Sequence, residues 1–380
     1  MNIASPSRIL LAAISGKSVR DIEVLIEKAG RARYRTVGAE ELETALNEEQ
    51  PDVVVLEIET LGERETAVLN EIRAIAPDTA LIVTSEALSP SDMRALLRFN
   101  LHDWLANPLE DDEFIGSLQR AVRAGKTNRN RVHAVISAVG GAGATTVAIS
   151  MADIAVQGFF KRKQDVALFD LDFSLGNCAH MLNMVSSFNM GHVAANPSRI
   201  DSEFISVIRR EHDNGFSLYS FKLPTLNTEM NGYEMVLRLL DAVSMEHDHT
   251  ILDIPYYETE WKDDVIAAVN TVTIVTELNL ASIKHAIDLV ERVRDVRGKT
   301  FPINVIINKT EGSLFGPRIG KKRLEELFEK VPFTFLPADN SLFGEAVDRG
   351  VAPSEVSKRA KFLKDLRKYM RDLEMEEKPA

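Results

Sequence analysis

A chain of 380 residues has room for two or three domains, and 45% hydrophobic with 27% charged residues is the composition of a globular protein. The formal net charge of −12 argues against general coating of nucleic acid, so no nucleic-acid partner is expected. One cysteine, Cys178, excludes an intramolecular disulfide, and no run approaches the roughly 18 apolar residues that span a bilayer; both fit a cytoplasmic protein.

From the start, strands alternate with helical spacings. Arg8 to Ile14 reads as a strand, Ser18 to Lys28 as a helix, Tyr34 to Val37 as a strand and Glu40 to Leu46 as a short helix. Val53 to Leu56 is a continuous apolar strand after Pro51-Asp52. Glu65 to Ile75 is a helix, Ala80 to Thr84 a strand, Ser89 to Phe99 a helix, Trp104 to Ala106 a strand, and Glu110 to Arg123 a closing helix. Strands buried on both faces and separated by helices predict a parallel α/β sheet, here a five-stranded doubly wound domain of flavodoxin-like type over residues 1–123.

The pattern of Pro51-Asp52, an apolar run and Glu57 resembles a response-regulator receiver domain, with Glu57 where the phospho-accepting aspartate stands. By the same resemblance the acidic pair after the first strand is Ala13-Ile14, and the lysine before the characteristic proline is Asn107. The switch hydroxyl is Thr84 or Ser85. Receiver chemistry needs clustered carboxylates for Mg²⁺, an aspartate nucleophile and a lysine. All are missing, so a docking or dimerisation module is expected, with Glu57 either a phosphate mimic or, more plainly, a solvated strand-end residue.

Residues 124–131 are polar and basic and read as a linker. Residues 132–380 then open on the stretch that carries the chemistry. Ala134 to Ala138 is an apolar strand, Gly140, Gly141 and Gly143 make a turn, and Thr145 and Thr146 open an apolar helix. Glycines let backbone N–H groups converge, and the helix presents its positive end to an anion. On the G-x-x-x-x-G-K-S/T pattern, Ala138 replaces the first glycine and Ala144 the lysine, while Thr145 keeps the metal-binding hydroxyl. Taken alone, the turn reads equally as an ordinary strand–turn–helix junction.

The run from Val139 to Thr146 is similar to the deviant P-loop of the ParA/MinD ATPases, with Val139 and Ala144 in place of both family lysines. The resemblance implies ATP and Mg²⁺ as cofactors, a homodimer, and a nucleotide site at Gly140, Gly141, Ala142, Gly143, Ala144, Thr145, Thr146, Asn308 and Pro337. It transfers the water-positioning role to Asp172 of Asp170-Leu171-Asp172. The strand Thr250 to Ile254 matches a Walker B motif, so the metal candidates are Thr145, Asp172 and Asp253. Alternation along a strand puts Asp170 and Asp172 on one side. The expected fold of this part is a P-loop NTPase with a mostly parallel sheet.

Other expected elements are a helix from Ile200 capped by Asp201 or Ser202, a strand Phe216 to Ser220 ended by Leu223-Pro224, a helix Gly232 to Met245, and a long helix Ala281 to Val296. Residues 252–286 and 340–350 (NSLFGEAVDRG) resemble the TadZ/CpaE proteins of the tight-adherence (Flp) pilus system, which join a receiver-like domain to a deviant ATPase domain. That resemblance implies a scaffold for the pilus secretion machinery, at a cell pole or the inner-membrane surface, with weak or no hydrolysis; an active positioning ATPase is the alternative. Ser357 to Leu373 is an amphipathic helix, suited to packing on the fold or to peripheral membrane contact, and Glu374 begins an acidic tail.

Overall fold

A strand such as Val53–Glu57, apolar along nearly its whole length, needs cover on both faces. The computed structural model supplies it. The structure describes residues 7–15, 19–30, 32–160, 163–186, 188, 190–194, 196–221, 230–311 and 319–373; Leu223-Pro224 and the tail from Glu374 lie outside them. The chain divides into two units, residues 3–130 and 131–379.

In the first unit, β1 (Ser7–Ala13), β2 (Ala32–Val37), β3 (Val53–Glu57), β4 (Ala80–Ser85) and β5 (Asp103–Ala106) form one parallel sheet in the order β2-β1-β3-β4-β5. That is the strand order of flavodoxin-like doubly wound folds. Successive side chains point to opposite faces. Leu10, Val54, Leu56 and Leu81 therefore pack with Leu46, Leu69 and Ile72 of α2 (Leu42–Glu49) and α3 (Glu63–Ile75), which follow α1 (Arg20–Lys28) in the chain. Ile9, Leu11, Val53 and Ile82 pack on the other face with Ile22 and Ile26 of α1. Phe114 and Leu118 join that face from α5 (Asp111–Arg129), which comes after α4 (Pro90–Leu96).

Helix α5 runs through the segment expected to be a linker. Its polar residues 126–129 continue the helix, and Gly125 marks a close approach, because a Cβ there would collide with the Asp52 carbonyl.

The second unit holds β6 (Arg131–Ser137), β7 (Val166–Asp170), β8 (Arg210–Glu211), β9 (Ser217–Tyr219), β10 (His249–Ile254), β11 (Thr271–Glu277), β12 (Ile303–Thr310) and β13 (Phe333–Pro337). They form one sheet in the order β13-β12-β11-β6-β10-β7-β9-β8, antiparallel only at the β8–β9 edge. β8, two exposed residues, carries no apolar pattern that sequence reading could detect. Ala134, Ile136, Phe169, Leu252 and Ile254 face one core. Val135, Leu168, Ile251 and Val275 face the other. Asp201 is the helix cap, accepting from the Phe204 N–H at 2.8 Å.

Helix α6 (Ala144–Val156) is apolar nearly all round, since it lies between the sheet and other cover. Part of that cover is the C-terminal helix Lys361–Asp372. Its Phe362, Leu363, Leu366, Tyr369 and Met370 are buried in the α6 core, and Tyr369 Oη shares a 2.6 Å hydrogen bond with Thr273 Oγ1. The stripe that sequence reading left open to a membrane is thus used up by the fold. Leu366→Ala should cost about 2–5 kcal/mol in denaturant unfolding, the range for a fully buried leucine. A change below about 0.5 kcal/mol, the range of exposed positions, would show that the helix does not pack there.

Candidate functional site

The glycine turn leaves the end of the central strand β6 and enters α6. Gly141 (φ 81°) and Gly143 (φ 92°) take left-handed backbone conformations that favour glycine, and Gly143 is the residue that starts the helix. A Cβ on Gly143 would sit 2.6 Å from Asn308 Nδ2. Asn308 is buried and donates from that nitrogen to the Ala142 carbonyl at 2.9 Å. Its neighbour Lys309 donates from Nζ to the Gly141 carbonyl at 2.5 Å and pairs with Glu277 at 2.9 Å. The two side chains hold loop carbonyls. Lys309 has φ 53° and lies where the β12–β13 register shifts, a bulge of the kind that re-aims a side chain. Sequence reading placed Asn308 at the adenine edge and missed Lys309, because a bulge leaves no periodic signal. Pro337 ends β13 beside Thr310, whose hydroxyl donates to the Leu336 carbonyl at 2.8 Å.

Val139 and Ala144, which replace the family lysines, both pack into apolar core beside α6. Thr145 and Thr146 are half-buried in the first turn of α6. The Thr145 hydroxyl lies near enough to the Asp253 carboxylate to offset part of the rise in its pKa.

Asp253 on β10 lies in register with Asp170, the last residue of β7. Both are buried, and a ligand atom from each lies within 4.8 Å of the other and of the Cys178 sulfur. Asp170 Oδ2 accepts from Ser220 Oγ (2.9 Å) and the Cys178 N–H (3.2 Å), and its Oδ1 from the Asp172 N–H (3.1 Å). The Cys178 thiol donates to Asp253 Oδ2 at 3.6 Å. Gly176 is required beside them, since a Cβ there would lie 2.6 Å from Asp170 Oδ2. Burial raises the pKa of Asp170, with a smaller push from the charge of Asp172, and burial with the charge of Asp170 raises that of Asp253 still more. Burial also pushes the Cys178 thiol up, so it stays protonated.

Asp172 is outside this group. The strand ends at Asp170, so alternation no longer governs the residue two further on. Asp172 Oδ1 instead accepts from the Ser174 N–H (3.1 Å), the Leu175 N–H (2.7 Å) and Tyr257 Oη (2.5 Å). Asp170 takes the place beside Asp253 that sequence reading gave to Asp172, and Tyr257 was missed.

The donor set fits the groups that the sequence resemblance implies. Carboxylate and hydroxyl oxygens of Asp253 and Thr145 at a helix N-terminus suit a hard cation such as Mg²⁺, whereas a protonated thiol does not. The loop, with its carbonyls held by Asn308 and Lys309, leads into a helix start suited to phosphate.

In the first unit, Glu57 is 5% exposed rather than solvated. Ser15 Oγ donates to its carboxylate (2.6 Å to Oε1, 2.7 Å to Oε2), and that hydroxyl is why burial is tolerated. Ser85 Oγ is committed to the Glu86 carbonyl and the Trp104 indole, while Thr84 Oγ1, opposite Glu57 in register, has no hydrogen-bond partner. Asn107 precedes Pro108 in a cis peptide.

No protein-family profile and no curated protein matches the chain. Solved structures do. A ParA family ATPase from Chlorobium tepidum superposes with a TM-score of 0.53 at 19% identity, covering 63% of this chain and 97% of that one. MinD in the MinC:MinD complex of Aquifex aeolicus gives 0.52 at 15%, covering 66% and 98%. The septum site-determining protein MinD complexed with Mg-ADP from Pyrococcus horikoshii gives 0.52 at 13%, covering 64% and 96%. This is the ParA/MinD ATPase fold. The covered share matches the extent of the second unit, where the glycine loop lies. Among the described residues, no helix is long and apolar enough to cross a membrane.

Proposed function

We propose that this chain is a dimeric nucleotide-binding scaffold of the TadZ/CpaE type, which binds ATP with weak or no hydrolysis and organises components of the Flp pilus secretion machinery. The observation that carries the nucleotide reading is the loop. Its glycines, the Thr145 hydroxyl near Asp253 and the α6 N-terminus suit a phosphate, while Val139 and Ala144 fill the lysine positions with apolar side chains. Asp253 and Thr145 are the residues to hold Mg²⁺, whose chemistry there is to neutralise phosphate charge. Asn308 and Pro337 border the base end, and Asp172 is the carboxylate to orient water. The pilus role rests on the sequence resemblance at residues 252–286 and 340–350. The experiment is calorimetric titration with ATP and Mg²⁺ beside a phosphate-release assay. Saturable binding, slow release and dimeric sedimentation are expected. Rapid multiple turnover abolished by Asp172→Ala would favour the other reading, an active positioning ATPase.

The first unit serves this scaffold as a receiver-like docking module without phosphorelay chemistry. Glu57 is closed off by Ser15, and Asn107 stands in the lysine position. Incubation with acetyl phosphate is expected to leave residues 1–123 unmodified in intact-mass spectra. A stable, stoichiometric acyl phosphate there would overturn this assignment.

A further inference from the structure

The segment 255–262, between β10 and the helix Lys262–Ala268, touches the site in two places. Tyr256 is 53% exposed and lies on the phosphate loop, its ring 3.4 Å from where a Cβ on Gly140 would stand. Tyr257 reaches the other way, and its hydroxyl donates to Asp172 Oδ1 at 2.5 Å. The backbone joining them is fixed by Lys262, whose side chain is 0% exposed. Lys262 Nζ donates to the Tyr257 carbonyl at 2.6 Å and the Tyr256 carbonyl at 3.5 Å, with the Glu258 carboxylate at 3.8 Å. An ammonium held out of water mainly by backbone carbonyls is costly, and its evident result is to keep those two peptides in place.

Oδ1 of Asp172 receives three donors, one more than the two lone pairs of a carboxylate oxygen. Together they fix that oxygen against residues 174–175, and Asp172 is not a member of the Asp170–Cys178–Asp253 group.

We propose that Tyr257 is a positioning residue that holds Asp172 idle, and that Tyr256 and Tyr257 form a strap over the phosphate loop anchored by Lys262. The inference rests on Asp172 being the water-orienting carboxylate of the nucleotide site proposed above. Because the tyrosines are adjacent, moving Tyr256 off Gly140 carries Tyr257 away from Asp172.

Tyr257→Phe in the full chain removes only the hydroxyl and tests this in two ways. In nucleotide-free protein, hydrogen exchange at the Ser174 and Leu175 amides should speed up by roughly ten- to a hundredfold, the equivalent of one charge-assisted hydrogen bond. In single-turnover assays with protein in excess over ATP, hydrolysis should be about tenfold faster than wild type, and the gain should vanish in Tyr257→Phe/Asp172→Asn. Unchanged exchange at 174–175 overturns the positioning role. Faster exchange with equal or slower hydrolysis overturns the idling role, since Tyr257 would then support the reaction. If neither protein retains ATP, the nucleotide reading fails and the exchange result alone decides the strap.

Discussion

Ala144→Lys should tighten ATP binding by roughly ten- to a hundredfold while leaving turnover slow, because it restores charge-assisted hydrogen bonds to phosphate but one cation only. Ala144 opens α6 and is 5% exposed, so a lysine there must run its stem along the apolar core and present its ammonium at the loop. Hydrolysis has a separate requirement. In the ParA/MinD resemblance the lysine at the Val139 position reaches the partner's nucleotide, and a trans-acting cation of the arginine-finger type is worth about 10³–10⁵ in rate. Val139→Lys/Ala144→Lys is therefore the variant expected to raise turnover, by on the order of 10³. Calorimetry and phosphate release on wild type, both single variants and the double variant separate the two effects. Turnover in Ala144→Lys equal to that of the double variant would mean that a cation is already in place. Lys309, against the Gly141 carbonyl, would be the first to examine.

The parallel strands of both sheets, though not the edge strand β8, were legible because buried parallel strands are continuous apolar runs. The glycine loop and Asp253 were legible for a related reason: they sit at strand ends, where a motif and an element boundary coincide. What escaped depends on contacts between segments distant in sequence. Lys309 reaches the loop only because a bulge redirects it, and Tyr257 meets Asp172 from 85 positions further along the chain. Asp172 was assigned by the resemblance, and the strand alternation that put it on one side with Asp170 fails where the strand stops. Glu57 looked solvated because a strand-end carboxylate usually is, and its hydroxyl partner Ser15 comes from after another strand. Polar composition made residues 124–131 look like a linker, although lysine and arginine are good helix formers and Gly125 is needed for close packing.

The remaining large effect is acid lability from the opposite end of the second sheet. His133 on β6 and His249 on β10 are buried and joined Nε2 to Nδ1 at 3.2 Å; His133 Nδ1 meets Thr271 Oγ1 at 2.9 Å, and the His249 ring stacks on Phe160 at 4.1 Å. Burial, then the nearby Arg131, pushes His249 down to about 3; burial, His249 and Arg131 push His133 well below its ordinary value. Both are neutral in the folded chain at pH values where the unfolded chain binds protons. Stability is thus intact above about pH 6.5 and falls on acidification by up to about 1.4 kcal/mol per pH unit for each histidine, for His249 down to its folded pKa. Asp170 and Asp253 oppose this. Their raised pKa values let the folded state keep protons that the unfolded state has lost, so their contribution grows as pH falls from neutral toward about 4. The net slope mixes both, and a comparison of variants isolates the histidine. His249→Phe keeps a ring against Phe160 but leaves His133 Nε2 without that bond, which costs about 1–3 kcal/mol at any pH. It removes one proton from the linkage, so between about pH 6 and 4.5 its stability should fall less steeply than wild type by roughly 1.4 kcal/mol per pH unit. Urea unfolding at several pH values gives both quantities. Parallel pH curves for the two proteins would mean that His249 is already protonated in the folded state or that its charge is balanced there, and would remove the histidine pair as the source of acid lability.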